Sequence, residues 1–170
     1  MKKTIEVINE LKKRGLIKDY AIGGAIAALK WVEPFFTRDL DLFILPAQDS
    51  KNKELLVLTP IYDYLATKGY KEWVGQWIMI EGIPVEFIPT VGLSKEALEH
   101  AVDVDFEGVD TKVMTPEYLI ALFLKAGRDK DIAKIKMLLE QATVDNSKLT
   151  GILDRYKLLE KFKRLVDTAK

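Results

Sequence analysis

The chain has no cysteine and a single histidine, His100, among its 170 residues. These two shortages exclude disulfide frameworks, thiolate zinc sites, cysteine nucleophiles and His-rich metal centres. Any metal bound here has to be held by oxygen, which favours magnesium or manganese. Net charge is also missing. Lys and Arg total 26 and Asp and Glu total 26, so the chain is no general polycation built to coat nucleic acid. No stretch approaches the roughly 18 apolar residues of a membrane span. The start, MKKTIEVINELKKRG, is charged throughout and lacks the apolar run of a secretory signal. No membrane association and a cytoplasmic location are the expectation. What is present is 48% hydrophobic residues, enough for a sizeable core, with no internal repeat or low-complexity tract.

Hydrophobic periodicity predicts an alternating α/β order followed by helices. Ile5, Ile8 and Leu11 form a helical stripe that Gly15 closes. Residues 19–22 form a short strand ending in Gly23-Gly24. Residues 25–31 are rich in Ala and Leu and predict a helix that stops before Pro34. Residues 40–45 predict a strongly apolar strand, whereas residues 51–58 are ambiguous. Thr59-Pro60 reads as a helix start, with Gly69 at the far end. Residues 73–80 and 83–88 predict two strands around a Glu81-Gly82 hairpin turn. Short extended segments fill 102–113. Helices follow from Ser94, from Thr115-Pro116-Glu117, over 131–141, and as one or two closing helices over 147–170. The expected fold is a mixed α/β core in residues 1–113 with a helical C-terminal portion in 114–170.

Two segments carry chemistry. In Asp39-Leu40-Asp41-Leu42-Phe43, alternate residues share a face of the strand, so both acids point one way, roughly 6–7 Å apart at the backbone, while Leu40 and Leu42 enter the core. Two like charges on such a strand are costly to desolvate, and a bound divalent cation removes that cost. Taken alone, the pair also suits a solvated strand end. The second segment is Pro84-Val85-Glu86-Phe87-Ile88-Pro89, apolar except for Glu86. That acid either sits on an exposed edge strand or joins Asp39 and Asp41 in a three-carboxylate site for two magnesium ions. Gly23-Gly24 lies between a strand and a helix, where backbone amides can face an anion.

Gly23-Gly24 followed by Thr37-Arg38-Asp39-Leu40-Asp41-Leu42-Phe43 resembles the signature of the nucleotidyltransferase superfamily to which DNA polymerase beta belongs. Small prokaryotic members, including AbiEii-type toxins and minimal nucleotidyltransferases, look most similar. The resemblance implies a nucleotidyltransferase-like sheet, a glycine motif that seats a nucleoside triphosphate, paired acids that bind Mg2+ or Mn2+, and a third acid at the place of Glu86. It also places Thr37 and Arg38 beside the nucleotide. Lys125-Ala126-Gly127-Arg128-Asp129-Lys130-Asp131 resembles the Arg-x-Lys-Asp stretch of AbiEii-like proteins. A second Asp often follows there, whereas this chain has Lys134 and Ile135.

Lys125, Arg128 and Lys130 are therefore candidates to neutralise the triphosphate, with Asp131 orienting one of them, acting as a base or simply capping a helix. The implied activity is transfer of a nucleoside monophosphate from a nucleoside triphosphate to a hydroxyl of RNA, protein or a small molecule. The AbiEii likeness suggests a toxin–antitoxin pair as its setting. The alternative is a non-catalytic nucleotide-binding or partner-binding module. Trp31, Phe35 and Phe36 could stack a base but read as core packing or a rim, Trp73 and Trp77 as core or edge packing, and Lys157, Lys161 and Arg164 as one solvated helical face. Oligomeric state is not legible in the sequence.

Overall fold

The computed structural model describes residues 1–47 and 54–167. Helix α1 (Lys2–Lys13) precedes strand β1 (Ile17–Ile22), short helix α2 (Gly24–Ala28) and strand β2 (Leu40–Pro46). Helix α3 (Glu54–Thr67) leads into β3 (Trp73–Val74), β4 (Trp77–Ile80) and β5 (Ile83–Pro89). Helix α4 (Leu93–Glu99) and the hairpin β6 (Val102–Phe106) and β7 (Val109–Val113) complete the sheet. Four helices close the chain: α5 (Pro116–Ala126), α6 (Asp129–Gln141), α7 (Asn146–Arg155) and α8 (Leu159–Asp167). The strands form one mixed sheet ordered β3-β4-β5-β2-β1-β7-β6. This is the nucleotidyltransferase-like mixed sheet with flanking helices and a helical C-terminus that the sequence predicts. No helix among the described residues is long and apolar enough to cross a membrane.

The centre of the sheet positions the acids. Strand β2 runs antiparallel to β1 and parallel to β5. Its alternation is visible in burial: Leu40, Leu42 and Ile44 are fully enclosed, while Asp41 and Phe43 face a partly open side. Val85 and Phe87 of β5 repeat the pattern. The same hydrophobic core continues from the sheet into the C-terminal helices through Met114, Leu119, Ile120, Leu138 and Ile152.

Several local expectations shift. Pro60 lies inside α3 instead of opening it, because the helix already runs from Glu54, and buried Ile61 and Leu65 carry it past the proline. The ambiguous stretch 51–58 lies partly outside the described residues. The strand expected over 73–80 is broken by a turn at Gly75, whose φ of +63° folds it into the β3–β4 hairpin. Helix α2 ends at Ala28, earlier than expected, and α6 begins at Asp129, two residues early. Lys157 has φ +56° between α7 and α8, so it does not share a helical face with Lys161 and Arg164. Lys161 Nζ instead donates to the Leu124 carbonyl at 2.6 Å, closing the C-terminal end of α5.

Candidate active site

Asp41 of β2 stands directly beside Glu86 of β5 in the parallel pairing, so the two carboxylates project from the same side of the sheet. Asp39 precedes β2, and all three acids border one hollow of about 400 Å3. Among the described residues, no three acidic or histidine side chains are gathered closely enough to form a ready-made metal cage. The acids share a cleft, therefore, without closing on a common point.

Gly24 explains how Asp41 is held. Its φ is +59°, and a β-carbon there would lie 1.7 Å from Asp41 Oδ2 and 2.6 Å from Cγ. The carboxylate thus occupies the space that a side chain would need. The preceding amide, Gly23 N–H, donates to the Asp41 carbonyl at 2.9 Å, tying the turn to the strand. A β-carbon on Gly23 would meet the Phe43 ring at 2.3 Å. Both glycines are required by close packing on β2. The sequence suggests a close approach to phosphate, and the structure adds this approach to a carboxylate.

Burial, and then the adjacent Glu86, push the Asp41 carboxyl up to about 6, against partial relief from Arg128 and Lys130. The cleft is therefore short of positive charge at its floor. Its donor set is entirely oxygen, and magnesium usually takes only one or two protein carboxylates together with substrate phosphates and water. Asp41 with Glu86 or Asp39 fits that demand, and the absence of a closed cage fits a metal that arrives with a triphosphate.

The 125–131 segment faces these acids. Gly127, with φ +66°, ends α5, and Arg128 stands at the N-cap position of α6. Asp131 is therefore not the N-cap. Its carboxylate is fully buried and accepts from Arg128 Nε at 2.6 Å, Arg128 Nη2 at 3.3 Å and Lys134 Nζ at 3.0 Å. Lys134, which in the sequence only marks a departure from the AbiEii pattern, is the third member of this cluster and lies over the Phe123 ring at 5.4 Å. The i, i+3 spacing from Asp131 is the signal that could have found it. The Arg128 guanidinium is held well charged by Asp131, then by Asp41 and Glu86 across the cleft. Asp131→Asn is expected to lower stability by about 2 kcal/mol, because it leaves the largely enclosed Lys134 without its anion. Urea unfolding measures this, and a change below about 0.5 kcal/mol would contradict the role.

Arg128, Asp41 and Glu86 border two adjoining hollows, here termed inner, on the Gly24 side, and outer, on the Arg38 side. The inner one, about 510 Å3, is bordered by Gly24, Asp41, Glu86, Lys125 and Arg128, with apolar walls from Phe43, Ile88, Leu119, Leu122 and Phe123. The outer one is bordered by Phe36, Thr37, Arg38, Lys130 and Lys134 as well as by the three acids and Arg128. Of the expected nucleotide-binding residues, Gly24 and Lys125 border the first, Thr37, Arg38 and Lys130 the second and Arg128 both, whereas Gly23 and Asp131 line neither. Gln76, at the β3–β4 turn, borders both hollows and has no distinguishing feature in the sequence. The aromatic residues expected to pack are divided. Trp31 Nε1 donates to the Met114 carbonyl at 3.0 Å, whereas Phe36 is 80% exposed.

Comparison with known proteins agrees with this architecture. A crystal structure of an antigenic nucleotidyltransferase-like protein from Paracoccidioides brasiliensis superposes with TM-score 0.55 at 17% identity, covering 97% of this chain and 88% of that one. The solution structure of the antibiotic-resistance factor ANT(2″)-Ia gives TM-score 0.51 at 17% identity, over 95% of each chain. A crystal structure of ANT(2″)-Ia with adenylyl-2″-tobramycin gives 0.52 at 14% identity, over 92% of this chain and 94% of that one. No curated protein matches. The model of a family described as nucleotidyl transferase of unknown function (DUF2204) matches residues 1–168. The chain belongs to this nucleotidyl transferase family.

Proposed function

We propose that the protein transfers a nucleoside monophosphate from a nucleoside triphosphate to a hydroxyl, with Asp41, Asp39 and Glu86 as its acidic centre. The observation that carries this reading is the in-register placement of Asp41 and Glu86 on adjacent parallel strands, with Gly24 packed against the Asp41 carboxylate. Asp41 and Asp39, with Glu86, would hold Mg2+ or Mn2+. When bound, the metal neutralises phosphate charge and lowers the pKa of an attacking hydroxyl.

The chain's own residues divide the remaining work. The inner hollow, with its apolar walls, receives the base and sugar of the donor, and Gly24, Lys125 and Arg128, which border it, meet its phosphates, with Gly23 fixing the turn through its amide on the Asp41 carbonyl. Asp131 keeps the Arg128 fork aimed into the cleft. In the reaction, the acceptor oxygen forms a bond to the α-phosphorus. The bond from that phosphorus to the oxygen bridging the β-phosphate breaks, and pyrophosphate leaves with the electron pair. The hydroxyl proton passes to the Glu86 carboxylate and then to solvent.

Label on the α-phosphate should therefore move to the acceptor while label on the γ-phosphate leaves as pyrophosphate. Glu86→Gln should keep triphosphate affinity within a few-fold and reduce transfer by about 10²-fold or more. Transfer of γ-label, or full activity in Glu86→Gln, would refute these assignments. The AbiEii-like character and a toxin–antitoxin role rest on the Arg128-Asp129-Lys130-Asp131 stretch and remain part of this proposal. A second reading, a nucleotide-binding or partner-binding module without transfer, is favoured by Lys134, which stands near where AbiEii-like proteins carry a second Asp and is paired with Asp131. It predicts triphosphate binding with no label transfer to RNA, to protein, to small molecules or to the chain itself.

A further inference from the structure

We infer that the outer hollow takes the acceptor and that this acceptor is an anion bearing phosphate and a planar base, with a ribose hydroxyl as the reacting group. The inference rests on the transferase reading above. Its first support is charge. The acids of the outer hollow are Asp39, Asp41 and Glu86, all of them committed to the reaction centre. Arg38, Lys130 and Lys134 stand around them, in addition to Arg128. Four cations thus face three acids, and two of the four, Arg128 and Lys134, are already paired with Asp131.

The second support is how those cations are engaged. Lys134 is held by Asp131, but among the described residues neither Arg38 nor Lys130 forms an ion pair with a carboxylate. They are placed to meet a ligand anion. The third support is the rim. Phe36 is 80% exposed, an uncommon state for a large apolar side chain, and the Arg38 guanidinium lies 5.0 Å from its ring centroid. An exposed ring with a stacked arginine is a platform for a nucleobase, where base stacking and phosphate attraction act together.

Acceptor chemistry of this kind can come from a mononucleotide or from an RNA end, and the transfer assay separates them. The protein is incubated with α-labelled nucleoside triphosphates and magnesium, and with total RNA, a nucleoside 5′-monophosphate or tobramycin. Label on RNA or on the monophosphate supports the inference and identifies the source. Label on tobramycin or on protein, with none on either phosphate-bearing acceptor, overturns it.

A binding arm stands independently of turnover. A fluorescent single-stranded octaribonucleotide is titrated by anisotropy at two salt concentrations, alongside calorimetry with the triphosphate. In R38E/K130E, checked for an unchanged melting temperature, oligonucleotide affinity should fall by about tenfold or more and lose salt dependence. Triphosphate affinity should fall several-fold less than oligonucleotide affinity, because Lys130 also partly offsets the Asp41 charge. Equal loss of both ligands would assign these residues to the donor, and unchanged oligonucleotide binding would remove the acceptor site. Failure of wild type to bind any triphosphate would instead refute the transferase reading, leaving the oligonucleotide result to be judged separately.

Discussion

Gly24→Ala is expected to reduce nucleotidyl transfer by at least about 10²-fold while destabilising the fold by about 2–4 kcal/mol. The added methyl has no vacant space, since it would fall 1.7 Å from Asp41 Oδ2, 2.6 Å from Cγ and 2.9 Å from Cβ. Either the turn or the acid must move. The turn is fastened by the Gly23 amide on the Asp41 carbonyl, so the side chain of Asp41 gives way and leaves its position beside Glu86. An L-residue at φ +59° also costs about 1–2 kcal/mol by itself. Gly82→Ala separates the two effects. Gly82 has φ +77°, but a methyl added there would meet nothing within 4 Å, so this variant should show the backbone cost without loss of transfer. Wild-type transfer in Gly24→Ala would mean that the Gly24–Asp41 contact does not define the site.

Asp41→Asn is expected to stabilise the ligand-free protein while eliminating transfer. The Asp41 carboxyl is raised from 3.8 to about 6, so its charged form is less favourable in the folded chain than in the unfolded one. Below the unfolded value, near pH 4, the acid is protonated in both states and the substitution should be close to neutral. Between about pH 4 and about pH 6 the unfolded chain is ionised while the folded one still holds the proton, so wild type loses stability that the amide variant keeps, and the loss levels off once the folded group ionises. The difference should reach about 3 kcal/mol by pH 7, from 1.36 kcal/mol per pH unit, and remain constant above that. Melting curves across pH 4–8 measure it. A variant equal to or less stable than wild type at pH 7 would contradict a cleft short of positive charge. Stability given up at a functional carboxylate is the pattern expected of a site that a ligand completes.

How much of this is readable from the chain depends on the range of the interaction involved. The Leu40-Asp41-Leu42 alternation settles which side of β2 carries the acid, because strand geometry alone fixes it. The neighbour relation of Asp41 and Glu86 joins residues 45 apart in sequence through a parallel pairing, and nothing local in Pro84-Val85-Glu86 sets that register. Pro84 and Pro89 suggest an edge strand, yet β5 is flanked by β2 and β4, with Pro89 at its end and Pro84 beside Met79. Pro60 misleads in a similar way, since tertiary burial of Ile61 and Leu65 overrides the local preference for a helix start. Asp131 and Lys134 are only three residues apart, but their ion pair has meaning only because α6 packs Asp131 fully into the interior. Gly24 shows the limit most clearly. A glycine beside a functional strand is visible, whereas its close contact with Asp41 requires the fold.

The most direct test of the account is calorimetric titration of a nucleoside triphosphate into wild type and Asp41→Asn, each with and without magnesium or manganese. The acid-centred site predicts metal-dependent binding in wild type and loss of that metal dependence in the variant. Equal metal-dependent affinity in the two proteins would contradict it.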